Sequence, residues 1–174
     1  MDLTKQIEIG IKNAQTDYIQ WSNGESISWS AEYILTVNIA QVLGKLKNEK
    51  KLDGIFLEYS VDSFAKEECG LKNKDFGTER FDICVDIDEN QSTIIEVKNT
   101  IQHEGGKLDS IVKDITRCQY FIENSEIVKD SYICFLVDGK NNDNDKLNNK
   151  ITQFTNAIKE NFTDLKFEET TSKV

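Results

Sequence analysis

The most constraining feature of the chain is a pair of apolar segments joined by a short polar turn between positions 80 and 98. In the first segment, Arg80 to Asp88, apolar residues alternate with polar ones, and a period of two is typical of a strand with one buried face. The second segment, Ser92 to Lys98, has apolar residues at Ile94, Ile95 and Val97, and Glu96 lies among them. The pattern therefore predicts a β-hairpin. Its expected buried face consists of Phe81, Ile83, Val85 and Ile87.

The length of the hairpin turn decides which residues face each other across the two strands. A three-residue turn over positions 88–90 pairs Ile87 with Gln91 and brings Asp82 opposite Glu96. Directly opposed residues share a face, with their Cβ atoms roughly 5 Å apart. We therefore expect the carboxylates of Asp82 and Glu96 to lie side by side.

Two observations bear on this register. Asn90 suits the left-handed position that ends a three-residue hairpin loop. A two-residue loop would instead place Asp82 opposite Val97 and separate the carboxylates. Asp86 is the substitute carboxylate if the register differs from the expected one.

The segments around the hairpin predict an α/β protein. Ser30 is a good N-cap, and the apolar residues that follow it at helical spacing predict a largely buried helix over Ala31 to Lys47. The segment Ser131 to Asp138 is apolar on both faces, as is typical of a central strand. The order of elements predicts a central mixed β-sheet flanked by helices. The remaining expected elements are a strand over Ile55 to Val61, helices over Asp109 to Glu123 and Lys146 to Asn161, and a strand over Leu165 to Glu169.

Length and composition predict one soluble domain over positions 1–174, with 38% hydrophobic and 30% charged residues. The N-terminus has no basic patch followed by an apolar stretch, and no apolar run approaches the roughly 18 residues that span a membrane. We therefore expect a cytoplasmic protein. The four cysteines are too widely spaced for a zinc site and predict buried, reduced thiols. They are Cys69, Cys84, Cys118 and Cys134.

The charged residues near the open end of the hairpin suggest metal chemistry. Glu96 and Lys98 are two apart on a strand and project from the same face. An ionised carboxylate on a buried strand is costly unless it is paired or binds a metal. Two adjacent carboxylates such as Asp82 and Glu96 also repel each other unless a cation lies between them. Mg²⁺ prefers such oxygen ligands, and the neighbouring lysine can orient a water or stabilise developing negative charge.

Asp82, thirteen residues and then Glu96-Val97-Lys98 resemble the PD-(D/E)XK signature of the restriction-endonuclease-like nucleases. Phe81 stands where the name-giving proline would be, a departure that touches no ligand. The resemblance extends over positions 28 to 138 and includes the order of elements. It implies an αβββαβ core and a phosphodiesterase that hydrolyses DNA with Mg²⁺ or Mn²⁺. Many such nucleases cut both strands as dimers, so a homodimer is compatible with the resemblance.

The resemblance also implies roles for residues outside the motif. Glu32, at the start of the first predicted helix, matches the place of a third metal ligand beside Asp82 and Glu96, with Lys98 as the catalytic lysine. The helix after the motif would contact the phosphate backbone, because Lys113 and Arg117 are four apart and share a face. The implied substrate-binding residues are Lys107, Lys113, Arg117 and Gln119.

Several interpretations remain open. The net charge of -10 argues against a protein that binds nucleic acid over its whole surface, although a local basic groove is compatible with it. The same fold without catalysis would suit an acidic binding or immunity protein that neutralises a basic protein partner. DNA and RNA substrates are not separable. Glu32 also complements a helix dipole, and His103, in a glycine-containing loop, is interpreted as a surface residue.

Overall fold

The computed structural model describes residues 1–24, 27, 32–72, 75–98, 107–136 and 144–162. The helices are α1 (Leu3–Trp21), α2 (Glu32–Asn48), the single turn α3 (Val61–Ser63), α4 (Lys107–Asn124) and α5 (Asn144–Asn161). A π-helical turn, Phe64–Glu68, follows α3. The strands are β1 (Gly54–Ser60), β2 (Arg80–Asp88), β3 (Gln91–Lys98) and β4 (Val128–Phe135).

The described strands form one mixed sheet in the order β1-β2-β3-β4. The first three strands are antiparallel neighbours, whereas β4 runs parallel to β3 after the α4 crossover. The predicted mixed α/β architecture is therefore confirmed. The strand predicted over 131–138 is present as β4, but it begins earlier, at Val128, and it stands at the end of the order of described strands. The predicted strand over Leu165 to Glu169 lies outside the described residues.

Helices α1 and α2 cover one face of the sheet. Helix α2 matches its prediction within a residue at each end. Helix α1 was not predicted. It begins after Asp2, whose carboxylate accepts a hydrogen bond from the Lys5 backbone N–H, and it buries a stripe at helical spacing. This stripe consists of Leu3, Ile7, Gly10 and Ala14. The apolar core beneath the two helices includes Leu35, Ile39, Leu43, Ile83, Val85, Ile95 and Val97.

Helices α4 and α5 lie on the opposite face. Buried Cys118 and Phe121 of α4 pack against Cys84 and Ile94 of the sheet. Ile158 of α5 packs against the same helix. None of the described helices has the length and hydropathy needed to cross a membrane. All four cysteines are free thiols, two of them buried and two half-buried.

The β2–β3 hairpin has the predicted register, but its turn differs from the predicted one. The turn holds only Glu89 and Asn90, because Asp88 pairs with Gln91, and the carboxylate of Asp88 accepts a hydrogen bond of 2.8 Å from the Asn90 N–H. The predicted pairing of Ile87 with Gln91 is therefore wrong. A β-bulge between Asp86 and Asp88 adds the missing residue.

Beyond the bulge, the ladder is the one that the three-residue turn predicted. Ile83 pairs with Ile95, so the next position along brings Asp82 to Glu96. A two-residue turn and one bulged residue together shift the register as much as a three-residue turn does. The consequence for the carboxylates is the same.

A second irregularity lies where β1 meets Asp82. The β1–β2 pairing passes from Leu57–Ile83 to Tyr59–Phe81, and Glu58 between them has a left-handed φ of 51°, which is uncommon for a residue other than glycine. Phe81 packs on the α4 side of the sheet, whereas Ile83 packs beneath α2. The prediction that both lie on one face is therefore wrong. The strand changes its facing at Asp82.

Candidate active site

Asp82 and Glu96 meet where the open end of the hairpin passes beneath α4. The Val97 backbone N–H donates a hydrogen bond of 2.7 Å to Asp82 Oδ2. In the other direction, the Asp82 N–H lies 3.4 Å from Glu96 Oε2, at the long end of hydrogen-bonding range. Each carboxylate is thus held against the backbone of the other strand. This geometry places the two carboxylates next to each other, as the register predicted.

Glu96 is one of the most deeply buried side chains of the described residues, with 1% of its surface exposed. Burial raises the pKa of Glu96 to about 8, even though the Arg117 guanidinium lowers it, and the nearby Asp82 carboxylate adds to the rise. The carboxylate needs a cation nearby if it is to stay ionised at this depth.

Arg117 of α4 supplies that cation. Its Nη2 forms an ion pair with Glu96 Oε1 and another, of 2.7 Å, with Asp114 Oδ1. Its Nη1 lies 2.7 Å from Glu79 Oε2. The guanidinium also lies over the ring of Phe81, 5.4 Å from its centroid. With 9% of its side chain exposed, Arg117 is an interior residue of the site and not a surface contact for phosphate.

Lys98 occupies the outer end of the same cluster. Its Nζ lies 3.0 Å from Asp114 Oδ2. Burial lowers the pKa of Lys98, but the carboxylates of Asp114, Asp82 and Glu32 outweigh it and the net shift is upward. Lys98 is therefore a protonated group, suited to holding or stabilising negative charge and not to removing a proton.

The other predicted residues are placed as follows. Glu32 is exposed in the first turn of α2, and its charge acts on Lys98. Lys113 is 64% exposed and forms an ion pair with Glu79. Gln119 is half-buried and stands about 200° around the α4 axis from Arg117, so the two do not share a face. Lys107 begins α4 but its side chain lies outside the described residues, as does His103.

Two functional candidates escaped the sequence analysis. Asp114 is 5% exposed and joins Lys98 to Arg117. It interrupts the buried stripe of α4 between Ile111 and Ile115, and an acidic residue in that position is a signal that was available. Glu79, just before β2, binds both Lys113 and Arg117, and those cations lower its pKa although burial raises it. No pattern in the sequence singles it out.

The donor chemistry of the site is compatible with a divalent metal, with one condition. Asp82 and Glu96 offer adjacent carboxylate oxygens of the kind that Mg²⁺ takes. Within the ranges that the structure describes, however, no three His, Cys, Asp or Glu side chains group closely enough to hold a metal ion, and Glu32 does not complete a trio. Glu96 instead forms an ion pair with the guanidinium of Arg117. The residues therefore fit a metal only if Arg117 releases that carboxylate.

Comparison with known proteins adds no relative. The chain matches no protein-family model, and neither the curated proteins nor the solved structures contain one that is significantly similar to it. A function for the site must therefore be argued from its own residues.

Proposed function

We propose that the chain is a metal-dependent phosphodiesterase of the PD-(D/E)XK type that hydrolyses DNA. The observation that carries the proposal is the convergence of Asp82, Glu96 and Lys98 at the open end of one hairpin, with Glu96 almost fully buried. Perturbed, charged groups gathered in one place are typical of functional sites. The order α2-β1-β2-β3-α4-β4 supports the proposal, because it is the order that the resemblance implies.

The strained backbone beside the site supports the same interpretation. Glu58 has a left-handed φ of 51° next to the point where β2 changes its facing at Asp82. A non-glycine residue in that conformation costs roughly 1–3 kcal/mol, and such residues concentrate at active sites. The strain coincides with the position of the first carboxylate.

In the proposed enzyme, Asp82 and Glu96 would hold Mg²⁺ or Mn²⁺, and Glu32, which does not group with them in this structure, would have to move to become the third carboxylate ligand. The metal, when bound, supplies a Lewis acid for the phosphate and lowers the pKa of a bound water. Lys98, which Asp114 holds in place, stabilises the negative charge that develops during attack. Of the predicted phosphate contacts, Lys113 is accessible and could exchange Glu79 for the nucleic-acid backbone.

The test is cleavage of plasmid, linear DNA and RNA by the purified protein with Mg²⁺ or Mn²⁺. Glu96→Gln and Lys98→Met should each lower the cleavage rate at least about a hundredfold, because the first removes the charge of a metal ligand and the second removes the cation beside the reacting phosphate. Glu89→Gln and Lys47→Gln are the matched controls, since these residues are exposed on the hairpin turn and at the end of α2.

Each result has a defined meaning for the proposal. Cleavage that survives Glu96→Gln and Lys98→Met would come from a contaminant or from another site, and the proposed mechanism would fail. RNA cleavage with the same dependence on these residues would keep the mechanism and change the substrate. Chelation by EDTA should abolish the activity, and its persistence in EDTA would reject the role of the metal.

A second function, a non-catalytic acidic binding protein, is favoured by two observations. Glu96 already has an internal cation, Arg117, and the chain carries a net charge of -10. A site of this kind could stabilise a fold whose surface attracts a basic protein. Calorimetry with Mn²⁺ separates the two functions. The binding protein takes up no metal at Glu96 and cleaves no nucleic acid, and it forms a salt-sensitive complex with its purified basic partner.

A further inference from the structure

We infer that Arg117 is an internal counter-cation that competes with the divalent metal for Glu96, so that metal binding and release of Arg117 are one coupled event. The inference rests on the proposed function and names the regulation of the same site. It makes the metal-free protein a closed state, in which a protein cation holds the carboxylate that the metal requires.

The competition follows from the depth of Glu96. Its carboxylate is 1% exposed, and no water-facing surface can compensate its charge. One guanidinium now meets this need. A divalent ion would meet it more strongly, but a metal bound between Asp82 and Glu96 would lie close to the guanidinium on Oε1, and the two cations would repel each other.

Two other carboxylates would still hold Arg117 after it releases Glu96. Besides Glu96, it contacts Asp114 and Glu79, each at 2.7 Å. Its Nε is buried without a hydrogen-bond partner, so its present position is not fully satisfied. Release of Glu96 would therefore cost the guanidinium one of three carboxylate contacts and leave it ionised in place.

Lys98 is not an equivalent competitor. Its ammonium is held by Asp114 Oδ2 at 3.0 Å, on the outer side of the cluster. Lys113 is excluded for a similar reason, since it is 64% exposed and contacts Glu79. The metal would thus exchange with one specific residue of α4.

The first measurement is the affinity of Mn²⁺ for the metal-free protein by calorimetry. Arg117→Gln should bind Mn²⁺ at least tenfold more tightly than the wild type, which corresponds to about 1.4 kcal/mol. Lys113→Gln is the matched control, because it removes the same charge from the same helix and from the same partner, Glu79. It should change the affinity less than about twofold if the charge acts only at the exposed rim.

The second measurement uses the wild type and does not depend on the folding of a variant. The chain contains only two arginines, Arg80 and Arg117, so arginine side-chain NMR gives two assignable Nε–Cζ signals. Titration with diamagnetic Mg²⁺ should shift the Arg117 signal. The Arg80 signal should stay in place, because its guanidinium donates to the Glu58 carbonyl.

The outcomes separate this inference from the proposed function. Tighter Mn²⁺ binding by Arg117→Gln and a moving Arg117 signal support it. Saturable metal binding with equal affinity in both proteins, or with a stationary Arg117 signal, overturns the inference and leaves the proposed function standing. If neither the wild type nor Arg117→Gln binds metal, both fail together.

Discussion

The two faces of the sheet bury their helices in different ways. Helix α2 covers its face with an apolar surface, and its buried polar residues satisfy themselves within the helix. Helix α4 also has a buried apolar stripe, but it inserts Asp114 and Arg117 between the stripe and the strand end that carries Glu96. The apolar residues that α2 buries are Leu35, Ile39, Val42, Leu43 and Leu46.

The two faces therefore differ in how much they contribute to the stability of the fold. Apolar burial on the α2 face is favourable by roughly 25 cal/mol per Å² of buried area. Charges on the α4 face must recover several kcal/mol of desolvation per ion before they contribute anything. The charged network therefore adds little net stability to the fold. It also lies beside the strained backbone at Glu58, and both features are better explained by function.

The largest effect should come from breaking the charged network at its centre. Asp114→Ala removes the carboxylate that Lys98 and Arg117 share and leaves both cations under-compensated. We expect a loss of about 3–5 kcal/mol in the free energy of unfolding, measured with urea at neutral pH.

The matched control lies on the apolar face. Thr36 is also buried, but its hydroxyl donates only to the Glu32 carbonyl of its own helix. Thr36→Val should therefore cost less than about 1.5 kcal/mol. Equal losses in the two variants would mean that the charged face is no more tightly interdependent than the apolar face.

The sequence predicted the elements that depend on local periodicity. The bounds of β2 were predicted to the residue, and α2 and α4 within two residues at each end, because each carries a clear apolar repeat. Helix α1 was missed because its buried stripe includes Gly10 and Ala14, which add little to an apolar pattern. These small residues matter through the closeness of the packing they allow, which only the tertiary structure reveals.

Local periodicity also predicted part of the candidate site. The register that joins Asp82 to Glu96 followed from the hairpin, although the bulge at Ile87 had no local signal. The partner of Glu96 did not follow. Arg117 was expected to share a face with Lys113 and to contact phosphate, whereas its long side chain reaches Glu96 of the sheet beneath the helix. Contacts between distant segments depend on how the helix docks.

A smaller effect should come from the packing of α1 on α2. A Cβ at Gly10 would lie 2.5 Å from the Cα of Ile39, so Gly10→Ala must push the helices apart. We expect a loss of about 1–3 kcal/mol in the free energy of unfolding. Gly44, within α2, has nothing within 4 Å of its added Cβ. Gly44→Ala should therefore stabilise by roughly 0.5–1 kcal/mol through helix propensity.

The signs of these two glycine variants test the apolar half of the comparison. A neutral Gly10→Ala would show that α1 can shift on α2 without loss, so that the packing of this face is looser than the close approach to Ile39 indicates. Retained metal binding in Gly10→Ala would show, in addition, that the site depends on α4 and the hairpin and not on the position of α1.

The smallest change in stability is expected when both members of the buried ion pair are replaced. Glu96→Met with Arg117→Met replaces the buried ion pair by apolar side chains of similar length. Such replacements are often neutral or stabilising, because the desolvation of both charges is removed together. Lys98 keeps Asp114 as its partner, and Glu79 keeps Lys113. We expect the free energy of unfolding to stay within about 1 kcal/mol of the wild type, or to rise, while Mn²⁺ binding is lost. A loss as large as that of Asp114→Ala would show that the pair stabilises the α4 face and is explained by structure instead of function.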